Sequence, residues 1–263
     1  MTETLDKDVR KSAAARALPM VDLTNLNADC SHADIDVLCE RAHTPHGRVG
    51  AICIWPRFVA HAHKVLTARA RGKVIPIATV VNFPGGTDLQ EMTVLETATC
   101  IRDGADEIDL VIPYGAFKAG DEEAASKLVR AIAQQCAGKA LLKVIIETGE
   151  LGSDELIRKA SHMAIEAGAN FIKTSTGKVP INATPHAAEI MIQAIADSGK
   201  PVGFKPAGGV KTVEDTATYL AIADRIMGPD WAAPKTFRFG ASGVLDDLLA
   251  ALDGDEAATS GGY

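Results

Sequence analysis

The sequence lacks the features of a membrane protein or of an exported one. No apolar run approaches the roughly 18 residues that a bilayer-spanning helix needs. The first 17 residues are rich in alanine, but Glu3, Asp6 and Asp8 are atypical of an organellar transit peptide, and no continuous apolar core indicates a secretion signal. We therefore predict a cytoplasmic protein without a membrane partner.

Cysteine pairs and metal-binding motifs are also missing. The five cysteines are odd in number and scattered without a C-x-x-C pair, which favours small buried side chains over a disulfide framework or a zinc site. The histidines form no H-E-x-x-H motif, and His61 and His63 are two residues apart, on different faces of a predicted helix. The sequence therefore predicts no metal and no cofactor.

A basic surface is absent as well. The net charge is -7 over 263 residues, whereas a nucleic-acid-binding protein usually carries a basic patch or stripe. The hydrophobic fraction of 47% is that of an ordinary globular protein with a full core. We expect small molecules as partners and no nucleic acid, and the sequence leaves a homodimer open.

What is present is a regular alternation of short Val/Ile/Leu-rich segments with longer segments of helical periodicity. The predicted strands are 20–23, 49–55, 74–81, 107–112, 141–147, 171–174, 202–205 and 237–240, and the predicted helices are 34–42, 57–71, 89–103, 122–136, 154–167, 185–198, 213–227 and 244–252. Eight such units in about 250 residues favour a closed (β/α)8 barrel. An open doubly wound sheet would usually carry a G-x-G-x-x-G loop after its first strand, and none follows Leu23.

Because no linker divides the chain, we predict an α/β fold with a single (β/α)8 TIM barrel domain over residues 1–263. Residues 1–17 are expected to form a polar N-terminal segment and residues 253–263 a flexible C-terminal tail.

Polar residues close most of the predicted strands, where a barrel of this kind places its active site. They are Asp22, Thr24, Cys53, Asn82, Asp109, Glu147, Thr148, Lys173, Lys205, Gly240 and Ser242. Lys173 and Lys205 end consecutive strands, which lie about 4.8 Å apart in a barrel. A second cation and partial desolvation both lower the pKa of a lysine, so Lys205 could make Lys173 a nucleophilic amine. Alternatively, both lysines pair with carboxylates and only stabilise the barrel mouth.

Asp109 is expected to point into the barrel. Strict alternation in 107–111 places Glu107 and Asp109 on the face opposite Ile108 and Leu110. An inward carboxylate could shuttle protons during Schiff-base chemistry, or could serve as a buried ion-pair partner of Lys143, and both roles are compatible.

Three glycine- or hydroxyl-rich segments, 176–178, 206–211 and 239–243, suggest an anion site. The last two follow the seventh and eighth strands, where barrels of this fold commonly bind phosphate through backbone N–H groups and a helix N-terminus. A phosphorylated substrate is the resulting prediction. The predicted binding residues are Thr24, Cys53, Thr176, Gly177, Lys178, Gly208, Gly209, Val210, Lys211, Gly240, Ser242 and Gly243.

At these residues the chain closely resembles the 2-deoxyribose-5-phosphate aldolase family, which comprises class I aldolases of (β/α)8 fold. The combination of Lys173 in K-T-S-T-G-K with Lys205 in F-K-P-A-G-G is highly specific to that family. Matching segments span nearly the whole chain, namely 20–24, 51–54, 78–84, 104–113, 141–151, 171–179, 203–210 and 238–242.

The resemblance implies reversible cleavage of 2-deoxy-D-ribose 5-phosphate to D-glyceraldehyde 3-phosphate and acetaldehyde, in deoxyribonucleoside catabolism. It implies that Lys173 forms the Schiff base, Lys205 lowers its pKa and relays protons with Asp109, and Asp22 positions Lys205. The phosphate would be held by residues including Gly208, Gly209, Gly240, Ser242 and Lys178. The C-terminal Tyr263 resembles a terminal tyrosine that enters the site of some members and assists proton transfer.

Two departures concern the anion site: Lys211 stands where arginine is common in similar members, and Gly243 where serine is common. Lysine lacks the bidentate fork of arginine, so phosphate affinity is the affected property. Two other functions compete with the proposed reaction. One is a Schiff-base enzyme for another sugar phosphate, and the other is a sugar-phosphate sensor that has lost turnover.

Overall fold

The structure is a computed structural model that describes residues 5–69 and 74–255. Its described helices are α1 (Lys7–Ala17), α2 (His32–Arg41), α3 (Val59–Arg69), α4 (Gln90–Arg102), α5 (Tyr114–Lys118), α6 (Glu122–Cys136), α7 (Thr148–Leu151), α8 (Asp154–Glu166), α9 (Pro185–Ser198), α10 (Val213–Met227) and α11 (Val244–Asp253). Its described strands are β1 (Val21–Asn25), β2 (His43–Thr44), β3 (Gly47–Arg48), β4 (Ala51–Ile54), β5 (Ile77–Val81), β6 (Glu107–Val111), β7 (Leu141–Ile145), β8 (Phe171–Lys173), β9 (Gly203–Lys205) and β10 (Phe239–Ala241).

Eight of these strands form one parallel sheet that curves into a barrel, in the order β10-β1-β4-β5-β6-β7-β8-β9. Parallel bridges join Phe204 to Phe237 and Ala207 to Gly240, so the two ends of the sheet meet. At this seam the Arg238 amide donates to the Phe204 carbonyl over 3.0 Å. The predicted (β/α)8 barrel is thereby confirmed, with a helix following every barrel strand.

The barrel strands are almost entirely buried on both faces, as parallel strands covered by helices usually are. The outward face packs under the helices through residues such as Ile108, Leu110 and Ile172. The inward face of several strands carries charged side chains, among them Asp109, Lys143 and Lys205, which are fully buried. The barrel interior therefore contains buried charged side chains.

The helix boundaries follow from local capping. Ser31 and Thr212 each form a capping box with the acidic residue three positions later, at the starts of α2 and α10. Thr184 caps α9, whose first residue is Pro185, an arrangement that suits the fixed backbone of proline. Helices α6, α9 and α10 have the predicted bounds.

Several predicted strands are longer than the observed ones. The structure starts β4 at Ala51 instead of residue 49, β5 at Ile77 instead of residue 74, and β10 at Phe239 instead of residue 237. The core nevertheless buries Val49, Ile75 and Phe237, although none of them belongs to an observed strand. Hydrophobic sequence marks burial, whereas a strand also requires ladder hydrogen bonds.

Helix α1 lies within the segment that was predicted only as polar. It packs against α10 and α11, burying Ala14 and Ala17. Arg10 is also buried and pairs with Glu214 and Asp247. At the other end of the chain, α11 extends to Asp253, and residues 256–263, including most of the predicted tail, lie outside the described residues. No helix in the described ranges has the length and apolar character needed to span a membrane.

Candidate active site

The register of neighbouring strands gathers the lysines and carboxylates of the barrel interior. Lys173 of β8 is in register with Lys205 of β9, and Asp109 of β6 is in register with Lys143 of β7. Each of these side chains is at most 3% exposed. The adjacency of the two predicted site lysines is therefore present in the fold.

Asp109 links three lysines through its two oxygens. Its Oδ1 accepts a hydrogen bond from Lys143 Nζ at 2.8 Å. Its Oδ2 accepts from Lys173 Nζ at 2.7 Å and from Lys205 Nζ at 2.8 Å. Both roles considered for Asp109, contact with the site lysines and ion pairing with Lys143, are thus geometrically compatible.

The ion-pair network continues beyond Asp109. Asp22 accepts from Lys205 through one oxygen and from Arg238 Nη1 through the other, the latter at 2.7 Å. Arg238 Nη2 also contacts Glu107 at 2.8 Å, and Glu107 contacts Lys143 at 2.6 Å. These contacts close a ring of charge in which every carboxylate has at least two cationic partners.

The electrostatic environment shifts the pKa values of the three lysines in different directions. Burial lowers the pKa of Lys173, and the charge of Lys205 lowers it further, against the opposing effect of Asp109. Burial also lowers the pKa of Lys205, but the charges of Asp109 and Asp22 outweigh the effect of burial, so the pKa of Lys205 is raised overall. The pKa of Lys143 is raised because Asp109 and Glu107 likewise outweigh the effect of burial. Lys173 is thus the lysine of the cluster most readily deprotonated.

The two aspartates remain ionised in this setting. Burial alone would raise the pKa of Asp109, but Lys143, Lys173 and Lys205 hold it well below its usual range. Lys205 and Arg238 similarly overcome burial and lower the pKa of Asp22. Both carboxylates are therefore ionised near neutral pH and accept hydrogen bonds from the surrounding cations.

Cys53 and Thr24 lie side by side, paired in the register of β1 and β4. Cys53 is fully buried, and this burial raises the pKa of its thiol, so it remains protonated at neutral pH. Thr24 lines the cavity described below and donates its hydroxyl to the Asp22 carbonyl at 2.8 Å.

Two other strand-end residues have left-handed backbones, with φ of 54° at Asn82 and 57° at Glu147. Asn82 donates to the Val111 carbonyl and accepts from the Asp88 amide, so its side chain holds neighbouring loops. Glu147 accepts the Thr176 amide at 3.2 Å and anchors the start of the loop that follows β8. Burial raises the pKa of Glu147.

A cavity of about 750 Å³ opens beside Lys173 at the carboxyl ends of β8, β9 and β10. The predicted binding residues that line it are Thr24, Thr176, Gly177, Lys178, Gly208, Gly209, Val210, Lys211, Gly240, Ser242 and Gly243. The predicted binding residue Cys53 does not line the cavity; it is fully buried next to Thr24 in the barrel wall. The three segments predicted from the sequence to form an anion site therefore share one cavity with the lysine.

Gly208 and Gly240 show why the cavity wall needs glycine. Gly208 has φ of 79°, and an added Cβ would lie 2.7 Å from the Asn182 side chain. At Gly240 an added Cβ would lie 2.8 Å from Ala207 Cβ and 3.1 Å from Lys205 Cε. Neither position leaves room for a side chain, so the backbone itself faces the cavity.

The cavity also carries positive charge, which favours the binding of an anion. The Lys178 side chain donates to the Leu26 carbonyl at 2.8 Å, and Lys211 lies on the wall that contains the two glycines. Helix α11 begins immediately after Ser242 and Gly243, without a side-chain cap at its N-terminus. Free N–H groups at a helix N-terminus, together with two lysines, favour a phosphate or another anion.

The site contains residues that sequence reasoning did not assign to it. Lys143 was considered only as an ion-pair partner, Glu107 only as an inward-facing residue, and Arg238 and Asn182 were given no role. Asn182 lines the cavity with a buried Oδ1 that lacks a described hydrogen-bond partner. A charged residue within the apolar segment 237–239 could have drawn attention to Arg238. The predicted Tyr263 lies outside the described residues.

Within residues 5–69 and 74–255, no three His, Cys, Asp or Glu side chains are grouped as a metal site would require. All five cysteines fall in the described ranges, and each is a buried free thiol. This agrees with their interpretation as small apolar residues.

Comparison with known proteins gives consistent results. The family described as "DeoC/LacD family aldolase" matches residues 16–244. The deoxyribose-phosphate aldolase of Agrobacterium fabrum (strain C58 / ATCC 33970) is 58% identical over 99% of this chain and 100% of its own length.

Solved structures show the same architecture. A crystal structure of a putative deoxyribose-phosphate aldolase from Toxoplasma gondii ME49 superposes with a TM-score of 0.83 at 22% identity, covering 95% of this chain and 97% of that one. The structure "QR15, an Aldolase" gives a TM-score of 0.73 at 26% identity, covering 92% and 96% of the two chains. The family match and the full-length relative establish that this chain belongs to the DeoC/LacD family of aldolases.

Proposed function

We propose that this enzyme cleaves 2-deoxy-D-ribose 5-phosphate reversibly to D-glyceraldehyde 3-phosphate and acetaldehyde, through a Schiff base on Lys173. The observation that carries the proposal is the position of Lys173. It lies beside Lys205 on a shared carboxylate oxygen and lines the cavity that contains the glycine-rich segments. The aldolase family and the activity named for the Agrobacterium relative support the choice of reaction.

In cleavage, the neutral amine of Lys173 attacks C1 of the open-chain sugar, and the carbinolamine loses water to give an iminium ion. A base removes the proton of the C3 hydroxyl, the C2–C3 bond breaks, and its electrons pass to the iminium. Glyceraldehyde 3-phosphate leaves while an enamine remains on the lysine. Protonation of the enamine at C2 and hydrolysis release acetaldehyde and restore the amine.

Asp109 and Lys205 are proposed to carry the protons of these steps. Asp109 Oδ2 touches both Lys173 and Lys205, so a proton can pass between the amine, the carboxylate and the second lysine without a large movement. Asp22 would act as a positioning residue, because it holds Lys205 from the opposite side. Cys53 remains a neutral thiol and contributes shape to the barrel wall next to Thr24.

The 5-phosphate is proposed to bind at the three cavity segments. Backbone N–H groups of Gly209 and Val210, together with the N-terminus of α11 after Gly240, Ser242 and Gly243, would approach its oxygens. The Gly208 amide donates to the Gly240 carbonyl and would hold the two glycine-rich loops together. Lys178, Lys211 and the Thr176–Gly177 turn, which line the same cavity, would supply charge and polar contacts. Tyr263 would join the site from the C-terminal tail and assist protonation of the enamine.

The proposed setting is the cytoplasm, within deoxyribonucleoside catabolism, with small molecules as partners and without nucleic acid or membrane. A homodimer remains a prediction, which sedimentation of the purified protein would test.

The test of the reaction is formation of glyceraldehyde 3-phosphate from 2-deoxy-D-ribose 5-phosphate. It is followed as NADH oxidation in a coupled assay, in which auxiliary enzymes isomerise the triose phosphate and reduce it with NADH. We expect turnover by the wild-type enzyme, little with ribose 5-phosphate or hexose phosphates, and a loss of at least about a thousandfold in Lys173→Ala without unfolding. Preferred cleavage of another sugar phosphate would contradict the substrate, and appreciable turnover by Lys173→Ala would contradict the mechanism.

A further inference from the structure

The charged cluster inside the barrel has an unequal count of cations and anions. Its members are linked by hydrogen bonds or ion pairs and are Asp22, Glu107, Asp109, Lys143, Lys173, Lys205 and Arg238. Four can carry positive charge and three negative charge, so the fully ionised cluster has one surplus positive charge. Buried charge is unfavourable unless it is paired, and release of one proton makes the cluster neutral.

The contacts determine which group releases that proton. Lys143 pairs with three carboxylates, closely with Glu107 at 2.6 Å and Asp109 at 2.8 Å and more distantly with Asp22 at 3.7 Å. Lys205 touches two, Asp22 and Asp109. Lys173 touches Asp109 alone among the described carboxylates, so its ammonium form is the least stabilised of the three.

We propose that Lys143 is a positioning residue that drives the loss of the proton from Lys173, by occupying Oδ1 of Asp109 and supplying the surplus positive charge. The proposal rests on the proposed function, in which Lys173 must be a free amine. It assigns to Lys143 part of the effect that the sequence predicted for Lys205 alone. Glu107 partly neutralises Lys143 and therefore raises the pKa of Lys173.

The remaining groups around Lys173 include one carboxylate outside the ion-paired cluster, Glu147. The titratable and charged groups that face it from the surrounding strands are Asp22 of β1, Cys53 of β4, Glu107 and Asp109 of β6, Lys143 of β7, Glu147 after β7, Lys205 of β9 and Arg238 before β10. The Cys53 thiol is neutral because burial raises its pKa. Glu147 accepts the Thr176 amide and interacts with the charge of Lys173, but burial raises the pKa of Glu147 and so opposes its ionisation.

The size of the effect follows from the geometry. Lys143 and Lys173 each lie within 2.8 Å of one oxygen of the same carboxylate, so their nitrogens are at most about 8 Å apart. At an effective dielectric constant of about 20, a unit charge at about 8 Å shifts a pKa by about 1.5 units. Lys143→Met should therefore raise the pKa of Lys173 by about 1.5 units and reduce its free-amine fraction at pH 7 about thirtyfold.

Glu107→Gln makes the converse change. It removes a negative charge and keeps the shape of the side chain, so Lys143 is less neutralised and the pKa of Lys173 should fall. A shift of about half a unit is expected, because the ion pairs of Glu107 in the described residues are with Lys143 and Arg238, and its charge acts on Lys173 from farther away. The matched control is Thr79→Val, since Thr79 is fully buried in β5 and donates only to the Ile54 carbonyl.

The experiment measures imine formation as a function of pH in the four full-length proteins. Each is incubated with acetaldehyde and cyanoborohydride, which transfers hydride to the iminium and leaves N-ethyl-lysine. The initial labelling rate at Lys173 is followed by peptide mass spectrometry from pH 5 to pH 10, and circular dichroism checks folding. The pH midpoint of labelling reports the deprotonation of Lys173.

We expect an upward shift of about 1.5 units in Lys143→Met, a downward shift in Glu107→Gln and none in Thr79→Val. An unchanged midpoint in Lys143→Met, or shifts of the same sign in the Lys143 and Glu107 variants, would overturn the inference. If Lys143→Met does not fold, the Glu107→Gln midpoint decides: a fall supports the inference and an unchanged value overturns it. Absence of labelling at Lys173 in the active wild-type enzyme would instead refute the proposed Schiff base.

Discussion

Replacement of Gly208 by alanine tests whether the glycine-rich wall of the cavity binds the substrate phosphate. Gly208 has φ of 79°, a conformation that costs an alanine roughly 1–2 kcal/mol. The new methyl group would also lie 2.7 Å from Asn182 Cβ and Cγ, so the loop and the asparagine must move apart. The backbone N–H groups proposed to face the phosphate would then be displaced.

The expected loss of substrate affinity can be bounded. Loss of one hydrogen bond to a charged group costs about 1.5–3 kcal/mol, which corresponds to a loss of affinity of roughly tenfold to a hundredfold. We therefore expect kcat/KM for 2-deoxyribose 5-phosphate to fall at least tenfold, mainly through KM. Cleavage of unphosphorylated 2-deoxyribose should change less than about twofold, since it makes no contact through a phosphate.

The assay compares the two sugars in the same preparations, with Gly199→Ala as the control. Gly199 also has a positive φ, 62°, but it ends helix α9, and nothing lies within 4 Å of its added Cβ. Gly199→Ala should lose roughly 1–2 kcal/mol of unfolding free energy, and Gly208→Ala at least as much because of its contact with Asn182, while only Gly208→Ala discriminates between the sugars. Equal losses with both sugars, or the same discrimination in Gly199→Ala, would refute the placement of the phosphate.

Three further predictions concern the same site. Lys205→Met should raise the pKa of Lys173 by about two units, because two ammonium groups that share Asp109 Oδ2 lie within about 5.5 Å. Imine formation at pH 7 should then slow about a hundredfold and recover towards pH 9; an unshifted pH midpoint would contradict this. Lys211→Arg should lower KM for the phosphorylated sugar about threefold through a bidentate contact, without affecting 2-deoxyribose; an unchanged or higher KM would contradict the assigned contact. Deletion of Tyr263 should slow proton exchange at the acetaldehyde methyl carbon at least about tenfold, measured by NMR in deuterated water, at an unchanged melting temperature; an unchanged exchange rate would remove Tyr263 from the mechanism.

The barrel and the central residues of its site could be predicted because periodicity carries that information. Alternation along 107–111 was enough to direct Asp109 inward, and the order of consecutive parallel strands placed Lys173 beside Lys205. Segment 176–178 and the loops after β9 and β10 were recognised by their glycines, and they line one cavity. These features depend on local pattern and on neighbouring strands.

Features that depend on barrel closure were not predicted. Arg238 of the seam meets Glu107 of β6 across the interior, and no spacing in the sequence relates residues 131 positions apart. The surplus charge that depends on this contact was therefore invisible. Helix α1 was missed for a different reason, because its buried face consists of alanine and an ion-paired Arg10 instead of large apolar residues.

The account depends most directly on the identity of the lysine that forms the imine. We would incubate the wild-type enzyme with acetaldehyde and borohydride, measure the intact mass and map the modified peptide. The account predicts one reduced imine, located at Lys173. Modification at another lysine, or an active enzyme that is never labelled, would contradict it.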